Sequence, residues 1–419
     1  MRVPGWAGSG WGRGAAALAA AAALAFYAAQ CVRRGSDFVT MWGAWRFVLE
    51  GKYLYSVVRM EGATPAHWRN PPSFTFATSP LGLLDVKAAA YAWFFLKLGL
   101  LAWVIRGLKR FSDRHAPGRP WTVWGPVLLA ACWFNNDLTI GHMNLAASAL
   151  ILAGLLAWLE GRPRAAALWS SLAVVSKGPA ALLPLFFAAR RQFMLALATV
   201  SLAAAWTALP ALVWGPRRTI EYNRDFKRHV GFDAIFGDVD NGWAENWGLP
   251  ELVMRAAGQA HPENRYGRAL ELVRLPYPTA KALAIALTGG CLALLAGWWW
   301  ARPGAGLKAG FLAPALHHAG LAATATLVLS PVTRKAYLGT LLLPYFVLWG
   351  YLQAAPKGRL RTASAALGAA SLVLSSLTHT DLLGRSAAFF FETWHALSFS
   401  LLALLAAQAA AALDAEGRA

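Results

Sequence analysis

Residues 165–189 read AAALWSSLAVVSKGPAALLPLFFAA. The run is apolar on both sides of Lys177-Gly178-Pro179, and a Gly-Pro pair ends a helix. It can therefore form one helix with a break or a hairpin of two short helices. The neighbouring loops favour the hairpin, because a single helix would separate Arg190-Arg191 and the basic stretch 357–361 from the other basic loops.

The rest of the chain is equally apolar. Of its 419 residues 57% are hydrophobic and only 14% are charged, which excludes an ordinary soluble protein. The apolar segments lie at 14–32, 87–106, 121–135, 143–159, 165–176, 180–189, 192–214, 279–300, 310–329, 337–353, 362–377 and 388–412. The stretch 72–84 is too short to span and predicts a half-inserted or interfacial piece that leads into the next span. The sequence thus predicts an all-α membrane protein, a polytopic helical bundle of about 11–13 spans that forms one domain over residues 1–419.

The positive charge of the chain sits in short loops. With the N-terminus in the cytoplasm, every short inward loop is basic, and the outward loop 136–142 has no Lys or Arg. We therefore expect both termini in the cytoplasm and the loops 33–71 and 215–278 on the extracytoplasmic face. The net charge of +19 then orients the helices, and no nucleic acid is expected as a partner.

The sequence lacks the motifs of several common kinds of functional site. Cys31, Cys132 and Cys291 have no spacing typical of a disulfide framework or a zinc site. The chain has no phosphate-binding loop of the Walker type and no serine nucleophile elbow. No Asp-x-Asp pair follows Asp37, so we expect neither a metal nor another cofactor.

Asp37 follows the first apolar segment. Residues 36–50 have helical spacing of Phe38, Met41, Trp42, Trp45 and Leu49, which predicts an amphipathic helix lying at the membrane interface. An acid in the first turn of a helix can simply stabilise the helix dipole. Alternatively, a partly desolvated carboxylate at this place could accept the proton of a hydroxyl group.

Three cations lie beside breaks between apolar segments: Lys177, Arg334 and Lys335. Cations at such breaks suit an anionic group such as a phosphate. They can also snorkel to lipid headgroups. Both interpretations stay open for each residue.

Further polar residues fall on the same predicted face. His142 and Asn144 in Gly141-His142-Met143-Asn144 could bind a sugar, although Asn there could equally cap a helix. Trp243, within Asn241–Trp247, could be a platform for a sugar ring or part of a solvated loop.

The order of these motifs resembles the integral-membrane glycosyltransferases of the C superfamily, and within it glycosyltransferase family 87, which includes polyprenol-phosphate-mannose-dependent α-mannosyltransferases. The resemblance covers about residues 10–350. It rests on an acid after the first span, Gly-x-x-x-Tyr, Pro-Pro, Gly-x-x-Asn, Lys-x-Pro and a late Ser-Pro.

The resemblance implies an inverting hexosyltransferase. A sugar, with mannose the first candidate, passes from a polyprenyl-phosphate donor to a lipid-linked or glycan acceptor on the extracytoplasmic side of a bacterial cytoplasmic membrane. Asp37 matches the general base of the family and Lys177 its Lys-x-Pro lysine. We expect Lys177, Arg334 and Lys335 at the donor phosphate. The residues expected to bind substrate are Tyr55, Arg69, Asn70, His142, Asn144, Trp243 and Tyr337.

One motif departs from the family. The late Ser-Pro leads into a Trp and His pair there, whereas this chain reads Val332-Thr333-Arg334-Lys335-Ala336-Tyr337. Two other functions use the same residues: a transporter or flippase for an anionic lipid-linked sugar, and a polymer ligase with a polyprenyl-pyrophosphate donor. A transporter needs its polar groups near the middle of the membrane, whereas the sequence predicts them on one face.

Overall fold

The structure is a computed structural model. It describes residues 18, 22, 24–26, 28–30, 32–33, 36–55, 70–229, 246–259, 270–302, 310–330 and 333–418. All regular secondary structure in these ranges is helical, which confirms the predicted all-α membrane class. Most of the first apolar segment, 14–32, lies outside the described residues.

The helices follow each other in this order. The first half of the chain has α1 Ser36–Leu49, α2 Pro72–Thr78, α3 Val86–His115, α4 Trp121–Ile140, α5 Asn144–Leu159, α6 Pro163–Ser176, α7 Leu182–Ala189 and α8 Phe193–Ala208. The second half has α9 Ala211–Trp214, α10 Pro216–His229, α11 Leu249–Ala256, α12 Tyr277–Ala301, α13 Pro314–Val328, α14 Leu342–Ala354, α15 Arg359–Ser376, α16 Thr380–Thr393 and α17 Ala396–Glu416. Short 3₁₀ helices cover Ser79–Leu83, Gly178–Ala181 and Lys335–Leu341.

The predicted break at Lys177 is present. α6 ends at Ser176, and Lys177 is extended with φ −153° and ψ 135°. Trp158, at the end of α5, packs on Phe186 and donates a hydrogen bond of 2.7 Å to Gln192. The chain therefore runs away from the end of α5 along α6, and α7 brings it back to the end of α5. The hairpin is confirmed.

The hairpin defines two ends of the bundle. The basic end carries the turns after α3, α5, α7, α12 and α14 together with the end of α17. There Arg190 contacts His318 at 2.6 Å, and His318 in turn contacts Glu416 at 2.8 Å. These buried groups join α7, α13 and α17. The opposite end, the site end, carries α1, α2 and the turns after α4, α6, α13 and α15.

The lengths of the helices vary. Four described stretches are long and apolar enough to cross a membrane: Val86–His115, Phe193–Trp214, Tyr277–Ala301 and Ala396–Glu416. Asn144–Leu159 is apolar but shorter. The predicted number of about 11–13 spans stays a prediction.

The last predicted segment needs a correction. Residues 388–412 do not form one helix, because α16 ends at Thr393 and α17 begins at Ala396. Between them His395 has a positive φ of 56°, which a continuous right-handed helix does not allow. The predicted short piece 72–84 consists of α2 and a 3₁₀ helix that ends at Leu83, and its half-inserted or interfacial position stays a prediction.

Candidate functional site

The turn between α4 and α5 is the centre of the site end. Gly141 ends α4 in the left-handed region, with φ 79°. Two buried charges hold the turn: Lys97 of α3 donates 2.7 Å hydrogen bonds to the carboxylate and the carbonyl of Asp137 and a 3.0 Å bond to the carbonyl of His142. The second carboxylate oxygen of Asp137 accepts the amide of Leu145 at 3.1 Å. The position of His142 is therefore fixed from both sides.

His142 lies among positive charges. Its Nδ1 accepts the amide of Met143 at 2.8 Å, so the neutral ring carries its proton on Nε2. Burial, followed by the charges of Lys177, Arg334 and Lys97, lowers the pKa of His142 well below its usual value. The ring is thus a neutral donor within a field of cations. We refer to Lys177 and Arg334 near His142 as the cation cluster; the charge of Lys97 is balanced by Asp137.

Lys177 reaches the cluster because α6 ends just before it. Its Nζ lies 5.4 Å from the centre of the Tyr337 ring, a cation–π contact. Tyr337 is 7% exposed, and its carbonyl accepts the hydroxyl of Ser148 at 3.4 Å. Two residues predicted from separate motifs are therefore in contact.

The side chains of Arg334 and Lys335, although adjacent in the chain, have different surroundings. Arg334 belongs to the cation cluster, but the Nζ of Lys335 binds the carboxylate of Glu392 and the carbonyl of Thr378. Glu392 neutralises Lys335, which makes Lys335 less suited to a phosphate than Lys177. The sequence did not indicate this partner, which lies 57 residues further along the chain.

Asp37 stands in the first turn of α1. One face of α1 is buried through Phe38, Met41 and Trp45, as the helical spacing predicted. The Asp37 side chain is exposed, so the expected partial desolvation of its carboxylate is not found.

α1 is anchored toward the His142 turn through aromatic contacts. The rings of Trp45 and Trp93 are 5.9 Å apart, and Trp93 donates a 2.9 Å hydrogen bond to the carbonyl of Gly141. Phe38 and Met143 belong to the same buried cluster. Asp37 therefore lies on a helix that packs beside the turn of the cation cluster.

Tyr55 and Asn70 are joined directly. The Tyr55 hydroxyl donates to the Asn70 carbonyl at 3.0 Å, and burial, with the neighbouring Tyr222, raises the pKa of Tyr55. Asn70 and Asn144 are 6% and 1% exposed; the side-chain oxygen of Asn70 has no hydrogen-bond partner among the described residues, and the Asn144 side chain lies within hydrogen-bond reach of the His142 ring. Such buried acceptors suit the hydroxyl groups of a substrate.

Two predicted residues, Arg69 and Trp243, lie outside the described residues. The end of the Trp243 motif is described, and it reaches the site end. Asn246 accepts the amide of Thr333 at 2.6 Å, and Trp247 donates its amide to the carbonyl of Thr333 at 2.8 Å. These hydrogen bonds hold Asn246 and Trp247 next to Arg334.

Sequence reasoning missed Lys97 and Asp137. Both are almost fully buried, at 0% and 1% side-chain exposure. A signal was available, because an ionisable residue inside an apolar segment indicates function or a buried partner. Lys97 lies within the predicted span 87–106.

The structure thus brings Lys177, Arg334, Tyr337, His142 and Asn144 to one end. Residues 68–260 match the model of glycosyltransferase family 87, and this range holds Asn70, His142, Asn144 and Lys177 but not Asp37. No curated protein and no solved structure matches the chain. The matched range is a little less than half of the chain; it bears out the resemblance to family 87 that the motifs predicted and supports a membrane glycosyltransferase of that family.

Proposed function

We propose that the protein transfers a hexose, with mannose the first candidate, from a polyprenyl-phosphate donor to a lipid-linked or glycan acceptor. The reaction inverts the anomeric centre, and Asp37 acts as general base. It takes place on the extracytoplasmic side of a bacterial cytoplasmic membrane, and both chain termini lie in the cytoplasm.

One observation carries the proposal: two cations of separate sequence motifs, Lys177 and Arg334, lie close enough to a neutral His142 at one end of the bundle for their charges to act on it. Positive charges from separate segments near one place favour an anion. Charge-assisted hydrogen bonds to phosphate oxygens are among the strongest that a protein makes. Asn144, a buried amide beside the His142 ring, stands next to this place and suits a sugar hydroxyl.

In the transfer step one bond to the sugar forms, one breaks and one proton moves. The acceptor oxygen forms a bond to C1 of the sugar while its proton passes to the carboxylate of Asp37. The bond from C1 to the phosphate oxygen breaks, and its electron pair stays on the polyprenyl phosphate. Lys177 and Arg334 stabilise that growing negative charge, and such electrostatic stabilisation is often the largest contribution to catalysis. Asp37 as base would add about 10²–10⁴-fold.

The bundle suits a lipid-borne donor. The basic turns lie at the end away from the cation cluster, and basic loops face the cytoplasm in most membrane proteins. The cation cluster then lies at the extracytoplasmic side, where an undecaprenyl-type phosphate head would lie beside the apolar helices. The one-ended arrangement favours an enzyme over a transporter, whose site would be reached from both ends.

The experiment uses the purified full-length protein with radiolabelled polyprenyl-phosphate mannose and an octyl mannoside acceptor. We expect transfer by the native protein and a loss of about 10²-fold or more in Asp37→Asn. Asp113→Asn is the matched control, because Asp113 is an exposed acid at the basic end, paired with Lys109. It should transfer at the native rate.

Two results would contradict the proposal. Full activity of Asp37→Asn would remove Asp37 as base. Absence of transfer by the native protein, combined with movement of the intact donor across a proteoliposome membrane, would favour the flippase instead.

A further inference from the structure

A second feature of the site end is a cavity of about 260 Å³. It lies between the last turns of α4, the 3₁₀ helix Lys335–Leu341 and the turn that follows α15. Its walls include Trp133, Asn135, Asn136, Thr139, Lys335 and His379. Asp37, Lys177 and Arg334 do not line it, so it is separate from the cation cluster.

The cavity and the cation cluster share their walls. Arg334 contributes to the cluster and Lys335, the next residue, to the cavity. In the same way Asp137 holds the His142 turn, whereas Asn136 lines the cavity. On each of these two elements one residue contributes to the cation cluster or its turn and the adjacent residue lines the cavity, so the cavity neighbours the cation cluster.

The charge of the cavity is nearly balanced. Lys335 is its charged wall residue, but Glu392 and the carbonyl of Thr378 take up the Lys335 ammonium group. Glu392 itself is 7% exposed. A paired ammonium group gives little attraction to a phosphate or carboxylate. The cavity therefore suits a ligand that is polar but neutral.

The other wall groups fit a sugar ring. Asn135 and Asn136 offer amide groups, and the buried side-chain oxygen of Asn135 has no hydrogen-bond partner among the described residues. Trp133 supplies an aromatic surface and is held by stacking on Tyr345 at 5.7 Å. Aromatic rings beside amide groups bind the C–H and O–H faces of a pyranose. The volume lies just below the range of about 300–1,000 Å³ typical of drug-sized ligands, which limits the ligand to about one ring.

We propose that this cavity binds one neutral pyranose unit of the acceptor glycan. The assignment to the acceptor rests on the proposed function, because that function places the donor phosphate at the cation cluster. The binding of a neutral sugar does not depend on it. The unit held here positions the acceptor, while its reacting hydroxyl group lies elsewhere on the glycan.

The test is saturation-transfer difference NMR with methyl α-D-mannopyranoside and the full-length protein in detergent. Asn136→Ala removes one amide of the wall, and Thr380→Trp places a bulky ring at the exposed rim of the cavity. In Asn136→Ala we expect the methyl mannoside to bind roughly five- to tenfold more weakly, as for one lost hydrogen bond. In Thr380→Trp we expect no measurable saturation-transfer signal from the mannoside. Asn223→Ala on α10, whose amide bonds within its own helix, is the matched control and should bind as the native protein does.

A second experiment distinguishes whether the cavity binds a sugar of the acceptor or the sugar of the donor. Polyprenyl-phosphate mannose is added to the Asp37→Asn protein together with the methyl mannoside. A mannoside signal that persists supports an acceptor subsite. Loss of the signal by displacement would show that the cavity takes the donor sugar and would overturn the assignment.

The binding result stands apart from the transfer assay. If the native protein transfers no sugar but binds the mannoside in this cavity, the proposed function fails and the sugar site remains. Equal signals from the native protein, Asn136→Ala and Thr380→Trp would overturn the site itself, as would the absence of any signal from the native protein.

Discussion

Lys97 and Asp137 form an ion pair of 2.7 Å inside the bundle, and both side chains are excluded from solvent. All three hydrogens of the Lys97 ammonium group have acceptors: two on Asp137 and one on the carbonyl of His142. The pair joins α3 and α4 to the turn that presents His142 and Asn144. It positions the candidate site without belonging to its surface.

Removal of one partner of this pair should destabilise the protein strongly. In Lys97→Met the carboxylate of Asp137 stays buried without its counter-ion, at a cost of about 3–5 kcal/mol. A large fall of the midpoint of thermal unfolding in detergent is the expected result. Lys87→Met, an exposed lysine on the same helix, is the control and should change the midpoint little. Equal midpoints for the two variants would contradict a structural role of the pair.

The double variant Lys97→Met/Asp137→Leu separates stability from positioning. Apolar replacement of both partners of a buried ion pair is often tolerated, so we expect the double variant to unfold at a higher temperature than Lys97→Met. Its transfer activity should nevertheless stay low, because the carbonyl of His142 and the amide of Leu145 both lose their partner. Native activity in the double variant would show that the pair does not position the turn.

The helical class and the hairpin at Lys177 could be predicted from the sequence, because loop charge and helix breaks are local signals. Partners distant in the chain could not be predicted in this way. Lys335 and Glu392 are 57 residues apart, and nothing in either neighbourhood indicates that one neutralises the other. The exposure of Asp37 depends on how α1 packs, which the helical spacing alone does not determine.

The three cations should differ in their effect on transfer. Lys177→Gln and Arg334→Gln each remove a charge from the cation cluster, and loss of one such donor commonly lowers the rate about 10²–10³-fold. Lys335→Gln should lower it much less, because Glu392 already balances that charge. Initial rates with labelled polyprenyl-phosphate mannose provide the comparison. A larger loss in Lys335→Gln than in Lys177→Gln would move the phosphate site to Lys335.

The neutral state of His142 has a consequence for stability at low pH. In the unfolded chain His142 takes up a proton below about pH 6.5, whereas in the folded protein burial and the cation cluster hold its pKa well below that value. The unfolded state then binds more protons, so stability falls as the pH falls below 6.5, by at most about 1.4 kcal/mol per pH unit.

His142→Gln tests this sign. The variant cannot take up the proton, so its midpoint of thermal unfolding should fall less between pH 7 and pH 5 than that of the native protein. Other buried histidines, such as His395, titrate in both proteins and cancel in the comparison. Parallel curves for the two proteins would mean that His142 has an ordinary pKa in the folded state.

The orientation of the bundle is open to a direct measurement. The native Cys31, Cys132 and Cys291 are first replaced by Ala, and single cysteines are then placed at Arg217 and Arg114. Arg217, at the start of α10, is 94% exposed at the site end, whereas Arg114 lies in the last turn of α3 at the basic end.

A maleimide that cannot cross membranes should label Arg217→Cys in intact cells and should label Arg114→Cys only after the membrane is opened. The reason is the charge of the turns: basic loops are retained on the cytoplasmic side, so the end with the cation cluster faces outward. Labelling of Arg114→Cys from outside would show that the bundle has the opposite orientation in the membrane. The cation cluster would then face the cytoplasm, and an extracytoplasmic polyprenyl-phosphate donor could not reach it.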